Sequence, residues 1–487
     1  MALEKIATKH VGAFAGAEGS GSGGDSDTSS LMGVTFDGVN AAGTRTYAAS
    51  ELTFTKSTDS AAGTDPFKDN AIFQGYYALV KYNSTSGKAE IVAYEGTPEY
   101  AAMIAAGTED FDVVRMFHVF YYKHTINAAG KIEIVLSPNP RSGFKPSPMH
   151  YRNGVLHEWV GVTRYAWGNA GGGAIASRAG LYPLTATTRD SFETKARARG
   201  MRVFGMKELS ALQMLGCVKY GNLNWQYVIG DGFSGAPATD RTVAVAQENA
   251  NSVILDAAYA ADFPVGASIY LASNDFRTIT GNEAYSEDNT KIVVSFGGSP
   301  FTSTTSTKVH GGLAINGSAD AVKGLDGQNA GMHATGSRCS IITLGIENLF
   351  GNCWKFLTDT MRMDGTSVSY FNPDPDGTST WPESTNLRGW EPGPTILTTE
   401  GYIKRFSPTF GLGDLDHLSI PAELGGNQNN PVGDYQYSNA ASERKCCLFG
   451  GNLNIGASDG PFYLRWSNWL GYNWWNFGAL GVFVPGL

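Results

Sequence analysis

Residues 344–356 read LGIENLFGNCWKF, and they hold the most decisive combination in the chain. Glu347, Asn348 and Asn352 are polar, yet their neighbours Leu344, Ile346, Leu349, Phe350 and Trp354 are apolar. Polar side chains in an apolar run, once buried, need hydrogen-bond partners, and those partners are commonly the backbone of irregular loops. The stretch is therefore read as a structural pin rather than a catalytic site.

Totals bound the rest. The chain has 487 residues, of which 42% are hydrophobic and 12% aromatic, enough to bury two to four units and far from a disordered composition. Its 61 glycines predict many turns. The net charge of −9 comes with scattered Lys and Arg and no basic stripe, so no nucleic-acid partner is expected. The five cysteines Cys217, Cys339, Cys353, Cys446 and Cys447 show no zinc spacing and are expected to be free buried thiols. Cys446 and Cys447 would point to opposite faces of a strand and cannot bridge each other. The start MALEKIATKHVGAF has no basic-then-apolar pattern of a secretory signal. No apolar run reaches the roughly 18 residues of a membrane span, so no insertion into a membrane is expected.

Residues 1–35 read as an N-terminal arm and connector, with GAEGSGSGGDSDTSS at 16–30 of low complexity. GSGSGG has the glycines of a phosphate loop but neither the flanking strand and helix nor a closing Lys-Ser/Thr. Residues 36–155 form a β-rich region, with strand runs FQGYYALVKYN, KAEIVAYEG, VVRMFHVFYYKHTI and KIEIVLS, the last two joined by a hairpin at Asn127–Lys131. Two helices are predicted. Asp190 and Glu193 suggest a capping box opening a helix that Gly200 stops, and MKELSALQMLGCVKYGN carries helical spacing ended by Gly221. Residues 238–324 look like an inserted small β-domain between a first part at 156–237 and a second at 325–487.

The motif resembles the R-G-I-E-N-x-W-G-N-x-W signature of C-type-lectin-fold proteins. These include formylglycine-generating-enzyme-like modules and the tail proteins of bacteriophages and diversity-generating retroelements. Gly345, Ile346, Glu347, Asn348, Gly351, Asn352 and Trp354 match, while Leu344 replaces the Arg and Phe350 the first Trp. Other pieces follow in the same order. FYYKHTI and SPNPRSGFKPSPMHYRNG resemble the stretch before the lectin fold, and TTRDSFETKARARGM with LSALQMLGCVKYGNLNWQYVIGDG resembles its two-helix segment. LGGNQNNPVGDYQY and RKCCLFGGNLNIGASDGPFYLRW resemble its terminal GG-x-W segment, with Leu453 in place of Trp. The resemblance covers roughly 115–237 and 325–487. It implies an α+β class: a β-rich, loop-rich C-type-lectin-like fold with two short helices, the inserted β-domain and a β-rich N-terminal region.

It also implies a function. Four of the ten tryptophans, Trp466, Trp469, Trp474 and Trp475, fall in GPFYLRWSNWLGYNWWNF at 460–477. The family displays ligand-contacting residues there, and Tyr, Trp, Arg and Asn are the types a recognition surface favours. Tyr463, Arg465, Trp466, Asn468, Trp469, Tyr472, Asn473 and Asn476 are the candidate ligand-binding residues, and all but Tyr463 are expected to be exposed. Trp474 and Trp475 cannot both point one way in an extended segment. The resemblance implies a bacteriophage virion protein, fibre-type or receptor-binding, assembled in the host cytoplasm. It would be a homotrimer, with other virion proteins and a host surface receptor, protein or glycan, as partners. A capsid-decorating or tail-building scaffold is the alternative, and a formylglycine-generating-type enzyme a third, disfavoured because Cys446 and Cys447 lack its cysteine spacing.

No catalytic residue, metal or cofactor is expected. Asp374, Asp376 and Gly377 have the spacing of a calcium loop, but Thr385 stands where its closing acid belongs. Glu391-Pro392-Gly393 departs from the calcium-lectin Glu-Pro-Asn, and no Trp-Asn-Asp accompanies it. The histidines, His118 and His124 among them, are dispersed and read as structural.

Overall fold

A computed structural model describes residues 27–107, 110–272, 275–330, 339–363, 365–372, 389–440 and 443–487. Most of the 1–35 arm and the Asp374, Asp376, Gly377 loop lie outside these residues. Strand outweighs helix, 37% against 14%, so the chain is β-rich as its composition suggests.

The long helix Met206–Tyr220 is the hub. All its residues but Lys207 are buried, which is why its sequence carries apolar residues on every face rather than one stripe. Its end is set by Gly221, left-handed at φ 62°. Its beginning is held from outside: Asp359 accepts hydrogen bonds from Met206 N at 2.6 Å and Lys207 N at 3.2 Å. A carboxylate there satisfies orphan donors and meets the positive end of the helix. Glu208 accepts from Gly205 N and pairs with buried Arg152.

Three sheets surround the helix. A five-stranded sheet runs in the order Thr44–Tyr47, Met32–Phe36, Ile132–Ser137, Tyr121–Ile126 and Lys145–Pro146, with Asn127–Lys131 turning the expected hairpin. A six-stranded sheet orders Arg202–Val203, Gly481–Phe483, Trp159–Thr163, Asp112–His118, Gly75–Asn83 and Lys88–Tyr94. The largest sheet centres on Trp354–Arg362, Lys445–Phe449, Leu464–Arg465 and Tyr435–Tyr437.

Three expectations need correction. The run VVRMFHVFYYKHTI breaks at Val119–Phe120 and serves two different sheets, because Val119 N bonds to Glu158 O instead of continuing a ladder. The boundary at 155/156 separates no sheet, since strands from both sides pair in the six-stranded one. The first helix runs Arg189–Ala198 with Thr188, not Asp190, as its N-cap, the Thr188 hydroxyl accepting from Ser191 N. Glu193 is buried on its inner face.

The inserted unit has its own six-stranded sheet, from Arg241–Thr242 to Lys308–Gly311, around Val253, Leu255, Ile269, Ile279, Val294 and Val309. Its two ends meet where Gly311 N donates to Pro237 O at 2.7 Å. Residues after Gly311 rejoin the body, where Ala314, Gly317 and Ala319 bond to Asn352 and Glu347.

Candidate functional site

The motif forms the frame. The Glu347 carboxylate accepts from Gly317 N and Ala319 N at 3.0 Å each. Burial and nearby Asp320 push its pKa up to about 8 against those bonds. Asn352 grips Ala314 on both backbone atoms, accepting from N at 2.8 Å and donating to O at 3.1 Å. Asn348 accepts from Ile341 N and donates to Ser340 Oγ. Asn348 and Asn352 sit at φ 46° and 61°, a region that asparagine tolerates better than most residues, and Gly345 and Gly351 share it. Ile346 and Trp354 are buried beside them. Each motif residue thus has a structural partner, and loop 314–319, assigned above to the insert, belongs to the body.

Trp354 carries this frame to the C-terminal segment. Its backbone N–H donates to Asn476 O, and its ring meets Tyr463 edge-on at 4.7 Å. The short strand Leu464–Arg465 pairs with Leu448 and Phe449 on one side and Gln436 and Tyr437 on the other. Strand alternation then sorts the side chains. Tyr463 faces the Trp354 cluster, whereas Leu464 and Trp466 face the long helix. Cys446 and Cys447 divide the same way, one in each cluster, and both are buried.

Exposure expected at several positions does not hold. Trp466 is fully buried because it falls on the helix-facing side. Asn468 is buried because its carbonyl accepts from Cys446 N, and Asn476 because its carbonyl accepts from Trp354 N. Tyr463 is buried too. Those four residues do not form a surface.

The others do. Past Trp469, which bridges Lys445, the chain leaves the sheet and turns twice, with Tyr472 N bonding to Trp469 O and Phe477 N to Trp474 O. Trp469 stays 50% exposed and Trp474 49%. Tyr472 lies between them, stacked on Trp474 at 6.0 Å with 17° between planes and edge-on to Trp469 at 6.3 Å. Asn473 is exposed and ties back to Ala186 O at 3.2 Å, while Ala186 N donates to Trp474 O. Trp475 turns the opposite way onto His310 of the inserted unit, ring centres 4.1 Å apart. A Cβ on Gly471 would stand 2.1 Å from the Trp469 ring, so a side chain there would push that exposed ring aside.

Arg465 closes one side. Its guanidinium lies 5.0 Å from the Tyr437 ring centre and 5.4 Å from that of Trp354, and its Nε donates to Ser467 Oγ. Burial lowers its pKa from the usual range, and among the described residues no carboxylate pairs with it. The result is a ridge of Tyr437, Arg465, Trp469, Tyr472, Asn473 and Trp474. It offers flat apolar faces, one cation and an amide on a held backbone, which suits non-covalent recognition. Tyr437 and Trp474 escaped the sequence reading. The Trp474–Trp475 pair was the available signal, as one of two adjacent rings had to face away from the other.

Among the described residues, no group of three His, Cys, Asp or Glu side chains could hold a metal. No helix there is long and apolar enough to cross a membrane.

Fold and ridge together define a β-rich protein with a supported aromatic surface near its C-terminus. No family model and no curated protein matches the chain. Among solved structures, the Major Tropism Determinant U1 variant is similar at 10% identity and TM-score 0.22, covering 94% of this chain and 84% of that one. The Major Tropism Determinant P3c variant stands at 11% and 0.22 with the same coverage. Likenesses of this size carry no argument about fold or function.

Proposed function

We propose that this chain is a bacteriophage virion protein, fibre-type or receptor-binding, with a C-type-lectin-like body, that binds the host cell surface without catalysis. The reading rests on the motif residues Gly345 to Trp354 and on one observation above all: Trp469 and Trp474 stand out, with half-buried Tyr472 between them, on a backbone anchored by buried Tyr463 and Trp466. Stiff aromatics held this way lose little freedom on binding. The partner would be a receptor protein or glycan, and copies in a homotrimer would raise avidity. Burial supports the absence of thiol chemistry, pushing Cys446 up to about 12 and Cys447 well above its ordinary value.

The test is binding of purified protein to candidate host cells. A Trp469→Ala/Tyr472→Ala/Trp474→Ala variant should melt within a few degrees of wild type and lose binding at least tenfold. Unchanged binding by the folded variant would sink the reading. A capsid-decorating or tail-building role is the second reading, favoured by Phe410, which is 97% exposed at a loop tip away from the ridge residues in sequence. Under that role, the triple substitution would impair particle assembly instead.

A further inference from the structure

Arg115 lies in strand Asp112–His118 with its side chain only 4% exposed. Its guanidinium is flanked by aromatic rings, 5.4 Å from the centre of Tyr77 and 5.9 Å from that of Phe117. Two glycines let other segments close on it: a Cβ on Gly75 would stand 2.9 Å from its Cζ, and one on Gly345 3.0 Å from its Cδ. Among the described residues its side chain donates no hydrogen bond and meets no carboxylate at ion-pair distance. A buried arginine with five donors and no acceptor is unusual, since buried charges are normally paired.

The guanidinium borders a small cavity with room for one water-sized occupant. Lys219 and the exposed Lys68 border it as well, Phe117, Leu215 and Leu344 supply apolar wall, and no acidic side chain lines it. Lys219 reaches Asp65 at 2.7 Å and Asp326 at 2.6 Å, with its ammonium 5.5 Å from the Phe54 ring centre. Asp326 and Glu95 act on Arg115 electrostatically, yet neither reaches it at ion-pair distance.

We propose that this cavity binds a small monovalent inorganic anion of the halide class, held by Arg115 with Lys219 and Lys68. Room for one small occupant favours an ion of a single atom over phosphate, sulfate or a carboxylate-bearing molecule. An anion there braces strand Asp112–His118 against Leu344, at the head of the motif, and so couples the six-stranded sheet to the pinned loop.

Two measurements test it. In the first, sodium chloride replaces sodium gluconate at constant ionic strength while the melting temperature is followed. Wild type should gain several degrees with a saturating dependence. Lys68→Gln should need several-fold more chloride for half the gain, and Arg115→Met should show none. In the second, wild-type crystals are soaked in sodium bromide, and an anomalous peak is expected within hydrogen-bond reach of the Arg115 guanidinium. No such peak, a water in its place, or a chloride response that survives Arg115→Met would overturn the proposal. Should Arg115→Met fail to fold, the wild-type titration, Lys68→Gln and the bromide peak still decide.

Discussion

At the scale of single residues, Trp466 and Trp469 lie three positions apart and have opposite fates. Trp466 fills space against the long helix, so Trp466→Ala should cost about 3–5 kcal/mol, read as a lower urea midpoint at unchanged slope. Trp469→Ala should stay within roughly 0.5 kcal/mol of wild type, as surface substitutions do. A midpoint loss at Trp469 equal to that at Trp466 would mean that the ridge is core. The aromatic types at 463–476 were legible as material for a surface, but their direction was not. Direction follows from the pairing of Leu464–Arg465 in the sheet, and a shift of one residue in that pairing would exchange the two faces. The motif was more legible, because Glu347, Asn348 and Asn352 are conspicuous among apolar neighbours. Their partners, Gly317, Ala319 and Ala314, are ordinary loop residues that no pattern marks.

Among elements, the helix Met206–Tyr220 could be placed almost to the residue, since its run of apolar helix formers and Gly221 are local signals. What starts it could not, because Asp359 is remote in sequence and reaches the helix only through the fold. Asp359→Ala should therefore lower stability by about 1–3 kcal/mol by leaving Met206 N and Lys207 N without an acceptor. Hydrogen exchange should show faster opening of the first helical turn than of its last. Protection unchanged at Met206 and Lys207 would show that another group caps the helix. The inserted unit was visible as a change of texture, yet its far edge was placed too late, as Ala314 to Ala319 serve the motif. Excising 238–310 with a short Gly-Ser linker between Pro237 and Gly311 should leave a cooperatively folding body. Excising 238–324 removes the donors to Glu347 and the partner of Asn352, and should abolish folding. Equal behaviour of the two deletions would refute the assignment of loop 314–319 to the body.

The whole molecule carries its ionisable interior in two opposed sets. His124, His150 and His417 are buried, and burial lowers their pKa values to about 4, 3 and 3. The unfolded chain takes those protons first, so stability is lost as pH falls from about 6.5 toward 3. Burial raises Asp359 to about 6 and Glu347 to about 8, and their contribution is instead lost as pH rises through those values. A melting curve of wild type alone mixes the two sets, whereas a difference separates them. The stability gap between wild type and His417→Gln should be about 3 kcal/mol narrower at pH 4 than at pH 7. A gap that does not change with pH would show that His417 titrates normally. None of this could be read from the sequence, where the histidines are merely scattered. The split among the indoles has an optical consequence. Trp167, Trp225, Trp354 and Trp466 are sealed from solvent, so their emission should resist acrylamide and shift red only on unfolding. Trp469 and Trp474 should be quenched from the outset and become shielded when a partner covers them. One chain thus carries two built-in fluorescent reporters, one for its own integrity and one for occupancy of its surface.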